Sequence, residues 1–286
     1  MKIIRTAKQF QKTLERERLR GRAVGFIPTM GALHAGHLTL VQAAKNKNQL
    51  VAASVFVNPT QFGPHEDFKK YPRVLAQDAK LLKKAGVDYL FYPSVNEMYP
   101  RAEALSIQFH PQASYVKGLC GRFRPGHFEG VATVVAKLFN LSGACRAYFG
   151  AKDYQQTIVI KQLVKEMLFP VQIVVCPTLR EKDGLAMSSR NQYLSQDERL
   201  RATEISRVLF ALRQSLKNSG SADMDLKPLK KQAITHLDGK GLNVQYLEIV
   251  NPQTLAPLTK IQSRMLVAVA CFCGKTRLID NVIIRL

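Results

Sequence analysis

The sequence predicts an α/β protein: a Rossmann-like doubly wound parallel sheet followed by a smaller C-terminal α+β domain. Three observations carry this. The length of 286 residues corresponds to two domains at the ~150 residues of an average one, each able to bury its own core. Residues 1–176 alternate short β-branched or aromatic runs with segments of helical period, the pattern of strand-helix-strand units around a parallel sheet. Beyond Cys176-Pro177 the texture changes, and residues 177–286 read as a polar loop, two helices and three strands.

In chain order, a charged helix-like stretch follows the first six residues. Strands are expected over residues 23–27, 51–57, 89–92, 147–149 and 172–175. Helices with apolar residues three and four apart are expected over 38–45, 74–84, 130–141 and 154–168. After the boundary come a helix over 196–218, a Ser219-Gly220-Ser221 break, a helix over 226–237, and strands over 244–250, 265–272 and 277–284, with Asn251-Pro252 as a turn. Cys271 and Cys273 are two apart on one strand, so they should share a face as small core residues.

Hydrophobic residues at 46% and charged residues at 22% lie within globular values and exclude disordered or collagen-like chains. The longest apolar runs, 265–273 and 51–57, fall far short of the ~20 residues of a membrane-spanning helix. The first residues lack the ~7–15-residue apolar core of a secretory signal. The five cysteines are scattered without a Cys-x-x-Cys pair, so a reduced, cytoplasmic location is expected. Net charge is +21, from 42 Lys and Arg against 21 Asp and Glu, which attracts anions. The charge is spread along the chain without a basic tail or an RNP-like stretch, so phosphates rather than nucleic acid are the expected ligands.

Doubly wound sheets bind ligands beyond the carboxyl ends of their strands, where strand order reverses, so chemistry is sought in the strand-to-helix loops. The first is Pro28-Thr29-Met30-Gly31-Ala32-Leu33-His34-Ala35-Gly36-His37, placed where backbone N–H groups and a helix dipole favour an anion. Gly31 and Gly36 have Walker-like spacing, but His37 and Leu38 stand where the lysine and Ser/Thr would be, and no Gly-x-Gly-x-x-Gly occurs. His34 and His37 are three apart, so both imidazoles can donate to one phosphoryl group; the alternative is that one caps the helix and the other packs.

Thr29 to His37 resembles the His-x-Gly-His motif of the nucleotidyltransferase superfamily, and in this fuller form the pantothenate synthetase (pantoate–β-alanine ligase) family. Five further segments extend the resemblance. In Phe56-Val57-Asn58-Pro59-Thr60-Gln61-Phe62 the proline turns the chain out of the sheet and sets Gln61 at the carboxyl edge, where an uncharged amide can hold a carboxylate without quenching its nucleophilicity. Phe149-Gly150-Ala151-Lys152-Asp153-Tyr154-Gln155-Gln156 places a lysine at a helix start, with Asp153 and Gln156 reading as a near capping box. Arg122-Phe123-Arg124-Pro125-Gly126-His127-Phe128-Glu129-Gly130 precedes an apolar helix bearing Val131, Val134, Val135 and Leu138. Arg180 to Asn191 supplies two hydroxyls and a guanidinium that can close over a triphosphate, and Arg277-Leu278-Ile279-Asp280-Asn281 reappears near the end.

The resemblance implies an ATP-dependent condensation of pantoate with β-alanine through pantoyl adenylate, releasing pyrophosphate and AMP. It implies catalytic roles for His34, His37 and Lys152. It implies an ATP site of Met30, Gly31, Ala32, Leu33, His34, Ala35, Gly36, His37, Gly150, Ala151, Lys152, Asp153, Leu179, Met187, Ser188, Ser189 and Arg190, with Leu179 near adenine. Gln61 and Gln156 would hold pantoate or β-alanine, the valines would wall the gem-dimethyl group, and Mg2+ would bridge phosphate oxygens with no protein ligand evident. Residues 1–176 become the nucleotide- and pantoate-binding domain, residues 177–286 a lid, and the protein a homodimer through the first domain. Ala151 stands where the family pattern has glutamate, so any role of that side chain is absent here. His65, His110 and His236 are expected as surface or packing residues. The rivals are an adenylyltransferase that stops at a nucleotidyl product and a basic nucleic-acid-binding module.

Overall fold

The computed structural model describes residues 1–64, 66–100, 107–218 and 224–286; His65 and Ser219-Gly220-Ser221 lie outside them. In chain order the elements are β1 (Lys2–Ile4), α1 (Ala7–Leu19), β2 (Val24–Thr29), α2 (Ala35–Lys45), β3 (Leu50–Val55), α3 (Leu75–Lys84), β4 (Tyr89–Phe91), and the short helices α4 (Val95–Met98), α5 (Ala113–Val116) and α6 (Leu119–Phe123). Then follow α7 (His127–Ser142), β5 (Cys145–Gly150), α8 (Tyr154–Glu166), β6 (Val171–Cys176), α9 (Gln196–Asn218), α10 (Leu226–Gly239), β7 (Leu242–Val250), β8 (Arg264–Cys273) and β9 (Thr276–Arg285). The chain divides into two compact units: Met1–Pro111, Arg124–Ala151 and Gln156–Pro177 form one, and Gln112–Phe123, Lys152–Gln155 and Thr178–Leu286 the other.

The first unit is built on a six-stranded sheet of order β1-β4-β3-β2-β5-β6, parallel at every pairing. β3 is buried along its whole length, which explains its Leu-Val-Ala-Ala-Ser-Val composition, apolar but for Ser54, since a central parallel strand has helices on both faces. Val51, Ala53 and Val55 pack with Leu40, Val41 and Ala44 of α2 and Leu82 of α3. On α1, Phe10 stacks on Phe91 of β4 with centroids 4.6 Å apart and tilts against Phe26 of β2 at 6.0 Å. The doubly wound sheet expected from the sequence is therefore present. β1 is an addition: three residues at the sheet edge with only Ile4 buried carry no periodicity to read.

In the second unit β7, β8 and β9 form an antiparallel sheet. One face packs on α9 and α10 through Met265, Val267, Val269, Leu209, Leu212 and Leu237. Cys271 and Cys273 belong to the same cluster, fully buried, as the two-residue spacing requires. All five cysteines are free thiols. Among the described residues no helix is long and apolar enough to cross a membrane. His110 is exposed, and His236, also exposed, bonds Glu204 Oε2 at 3.0 Å.

Candidate active site

The sheet of the first unit reverses its winding between β2 and β5, and there it parts. β2 and β3 pair over six positions, from Val24↔Leu50 to Thr29↔Val55, whereas β2 and β5 pair only at Gly25↔Arg146 and Phe26↔Ala147. Pro28 gives a reason. The carbonyls of Ala23 and Thr29 accept from Leu50 and Phe56 N–H, so alternate residues 23 to 29 turn their main-chain groups to β3 and Pro28 faces β5, to which it has no N–H to donate. A crevice at the carboxyl end of a reversal is where this class of sheet binds its ligand.

The loop leaving β2 is held from beneath by α3. Asp78, 1% exposed, accepts the N–H groups of Ala32 at 3.0 Å and Leu33 at 2.8 Å. Burial raises its carboxyl above the usual range, and the two N–H bonds work against that rise. Gly31 has φ +86°, and a Cβ there would lie 2.9 Å from Asp78 Oδ2 and 3.0 Å from Val55 Cγ1, so conformation and space both call for glycine.

His34 and His37 form a reciprocal cap at the start of α2. His34 Nδ1 accepts from Gly36 N–H at 3.1 Å, and His37 Nδ1 accepts from His34 N–H at 3.3 Å. The two rings lie side by side, centroids 4.1 Å apart. Each Nδ1 uses its lone pair on a main-chain proton, so in the neutral ring the proton sits on Nε2, which is then a donor. Both rings therefore cap the helix, and capping by Nδ1 is compatible with donation from Nε2. The backbone part of the sequence reading needs correction, however. Gly31 N–H bonds Thr29 Oγ1, and those of Ala32, Leu33, His34 and Gly36 are engaged as above, so these five main-chain donors are spent within the protein.

Gln61, 8% exposed, ends a 3-10 turn, Pro59–Gln61, after β3. Asn58 fixes its orientation. Asn58 Oδ1 accepts from the Tyr99 hydroxyl at 2.8 Å and Thr60 Oγ1 at 3.0 Å, and Asn58 Nδ2 donates to Gly130 O and Gln61 Oε1, each at 3.1 Å. Burial pushes Tyr99 up to about 12, so its hydroxyl keeps its proton. With Oε1 thus occupied, Gln61 turns its Nε2 toward Met30 Sδ at 3.0 Å; it is the donor end of this amide that remains for a ligand. The main chain of the turn is held as well: Gln61 O contacts His127 Nδ1 at 2.8 Å and accepts from Arg124 at 3.4 Å. Arg124 pairs with both oxygens of Glu66. Burial works against that charge, but the guanidinium holds the Glu66 carboxyl below its usual range. Val131, Val134, Val135 and Leu138 of α7 are all buried, as a core helix requires.

Within the second unit, distant segments are tied together. Arg180 makes a two-pronged pair with Asp280, at 2.6 and 2.9 Å, and donates to Gly184 O at 3.0 Å. Met187 N–H bonds Leu179 O, and Arg180 and Ala186 bridge antiparallel, so residues 179–187 form a small hairpin. Arg199 clasps its tip through Glu181 and Asp183 at 3.0 and 2.8 Å. Ser188 Oγ accepts from Arg190 N–H and starts the 3-10 turn Ser189–Tyr193, while Asn191 Nδ2 bonds Glu181 Oε1 and Ala186 O. Met187, Ser188, Ser189 and Arg190 therefore rise from a braced base. Lys152 is held by its carbonyl, which accepts from Asn281 Nδ2 at 2.8 Å. Asp153 lies within a 3-10 turn, Ala151–Asp153, that runs into α8, so the helical path starts before it and the capping-box reading does not hold.

A family model described as Pantoate-beta-alanine ligase matches residues 2–283. The chain belongs to the pantoate-beta-alanine ligase family. It is 44% identical over 285 residues to the pantothenate synthetase of Fervidobacterium nodosum, with 100% of both chains covered. It is 47% identical over 283 residues to that of Sulfurihydrogenibium sp., with 99% of each covered. Crystal structures agree: pantothenate synthetase from Thermus thermophilus has a TM-score of 0.88 at 44% identity over 99% of each chain. The Francisella tularensis pantoate-beta-alanine ligase, complexed with beta-gamma ATP and beta-alanine, has 0.82 at 36% identity over 99% of this chain and 97% of its own. Like these relatives, the chain is a pantothenate-forming ligase.

Of the residues that the sequence picks out for this pantoate-beta-alanine ligase, the first unit brings Met30 against Gln61 and sets His34 beside His37. Gln156, half-buried, belongs to that unit, and Lys152, Leu179, Met187, Ser188, Ser189 and Arg190 belong to the second. Sequence reasoning missed Asp78, Tyr99 and Gln155. Asp78 left one trace, a carboxylate three and four residues from Leu75 and Leu82 on the buried stripe of α3. Gln155 is a brace: it donates to the carbonyls of Tyr115 and Gly118 and accepts from Cys120 N–H, each at 2.9 Å.

Proposed function

We propose that this ligase works through pantoyl adenylate. A carboxylate is a poor electrophile, so it must first acquire a leaving group. A carboxylate oxygen of pantoate attacks the α-phosphorus of ATP, the bond from that phosphorus to the β-phosphate oxygen breaks, and pyrophosphate leaves with the electron pair. The amine of β-alanine then attacks the acyl carbon, the carbon–oxygen bond to AMP breaks, and the nitrogen sheds its proton.

In this reading the Nε2–H donors of His34 and His37 stabilise charge developing on the α-phosphoryl oxygens, where each preorganised donor is worth ~10²–10³ in rate. Gln61 and Gln156 hold pantoate by uncharged donors. Lys152, Ser188, Ser189 and Arg190 offset charge on the leaving pyrophosphate, Leu179 and Met187 lie near the nucleoside, and the rest of the loop from Met30 to His37 and Gly150 to Asp153 lines the nucleotide. Residues 1–176 are the nucleotide- and pantoate-binding part and residues 177–286 the lid that keeps water from the adenylate. Among the described residues no three His, Cys, Asp or Glu side chains are grouped to hold an ion; Mg2+ would arrive with ATP and would offset charge on its phosphates. A cytoplasmic homodimer is the proposed state.

The observation that carries the proposal is the reciprocal Nδ1 cap in the loop that leaves β2 beside the sheet reversal, which leaves the Nε2 of each neutral ring as its proton donor. Its test is isotope exchange: labelled pyrophosphate should enter ATP with pantoate present and β-alanine absent. Exchange that appears only once the amine is added excludes the two-step scheme.

Gly130 offers a second check. A Cβ there would lie 2.3 Å from Thr60 O and 2.7 Å from Gln61 N, contacts with main chain that cannot swing aside. Gly130→Ala should cost about 1–3 kcal/mol by overpacking and raise the KM for pantoate by displacing Gln61; steady-state kinetics beside a thermal melt measure both.

A further inference from the structure

We propose that Asp78 is a positioning residue for phosphoryl transfer: its carboxylate locks the loop between β2 and α2 in the shape that delivers His34 and His37 to the α-phosphoryl group. The inference rests on the reading of those imidazoles as phosphate donors. Three observations support it. The two oxygens of Asp78 accept the N–H groups of Ala32 and Leu33, the residues immediately before His34. Gly31 and Ala32 are both left-handed, at φ +86° and +51°, and an alanine holds that conformation only where its surroundings impose it. Beside the loop Met30, Val55, Arg73, Leu75, Asp78 and Tyr92 line part of a cavity of about 180 Å³, so on that side the carboxylate and not close packing meets the loop.

A carboxylate suits this task because it offers two acceptor oxygens to two parallel N–H groups. An asparagine of the same size offers one, and its NH2 would face a main-chain donor. Gln61 is anchored separately, through Asn58, so loss of the Asp78 lock should misplace the imidazoles and spare pantoate binding.

The test is Asp78→Asn in the full-length enzyme, with pantoate-dependent pyrophosphate exchange and complete turnover both measured per folded protein. We expect kcat to fall about 10²-fold, the cost of an ångström-scale misplacement, with the KM for pantoate within about twofold of wild type. Gly31→Ala, which presses on Asp78 Oδ2 from the loop side, should show the same split, and it carries the test should Asp78→Asn fail to fold. A purely structural role would lower the folded fraction and leave kcat per folded molecule unchanged, which would overturn the assignment, as would a rise in KM matching the fall in kcat. Normal wild-type exchange with unaltered variants overturns this assignment alone; absence of exchange in the wild type overturns the adenylation reading and this assignment with it.

Discussion

Replacing His37 by alanine should lower kcat by ~10²–10³, the usual cost of one preorganised donor at a charge that develops in the transition state. The same change removes the acceptor of His34 N–H, so a loss of about 1 kcal/mol in stability should accompany it, the order of a helix cap. The two effects separate with His37→Asn. The asparagine Oδ1 falls near the place of Nδ1 and can accept the same N–H, but nothing reaches the place of Nε2. That variant should melt close to the wild type and remain as slow as His37→Ala. Recovery of turnover together with stability would show that His37 serves the helix and not the reaction.

The second large effect is expected from Asp280→Ala. Asp280 has a side chain only 2% exposed, against 18% for its partner Arg180, and it also accepts from Asn281 N–H at 2.7 Å. Truncation leaves a largely buried guanidinium without its counter-charge, a change of about 3–5 kcal/mol for buried pairs. Because Arg180 keeps some contact with water, the lower end, about 3 kcal/mol, is expected, or roughly 6–12 °C in Tm. The hairpin of residues 179–187 loses its anchor, so the KM for ATP should rise as well. Removing both charges, in Arg180→Met with Asp280→Leu, should restore most of the stability and little of the ATP affinity. Equal loss in the single and double variants would show that the pair is not a coupled unit.

Much of the fold is legible because its signals are local. The apolar run of β3, broken only by Ser54, the continuous apolar run of β8 and the helical period of α9 each state their environment within a few residues. β1 is not legible because pairing with β4 and not composition makes it a strand. Helices α5 and α6, of four and five residues, depend on Gln155, some 35 to 40 residues away. The site divides in the same way. His34, His37 and Lys152 stand out because each sits in a strand-to-helix loop, and Ser188 to Arg190 because the segment resembles a family motif. Asp78, 45 and 46 positions from the N–H groups it binds, shows at short range only as a carboxylate on the buried stripe of α3, and it takes up two of the N–H groups that the loop by itself offers to an anion. Tyr99, 41 positions from Asn58, is hidden for the same reason.

Activation of pantoate at the α-phosphorus is tested most directly by pantoate carrying 18O in its carboxylate, with AMP, pyrophosphate and pantothenate analysed after single turnovers by mass spectrometry. If the carboxylate attacks as proposed, one labelled oxygen leaves in AMP and one stays in the amide carbonyl, with none in pyrophosphate. Unlabelled AMP, or label in pyrophosphate, would contradict the proposed mechanism.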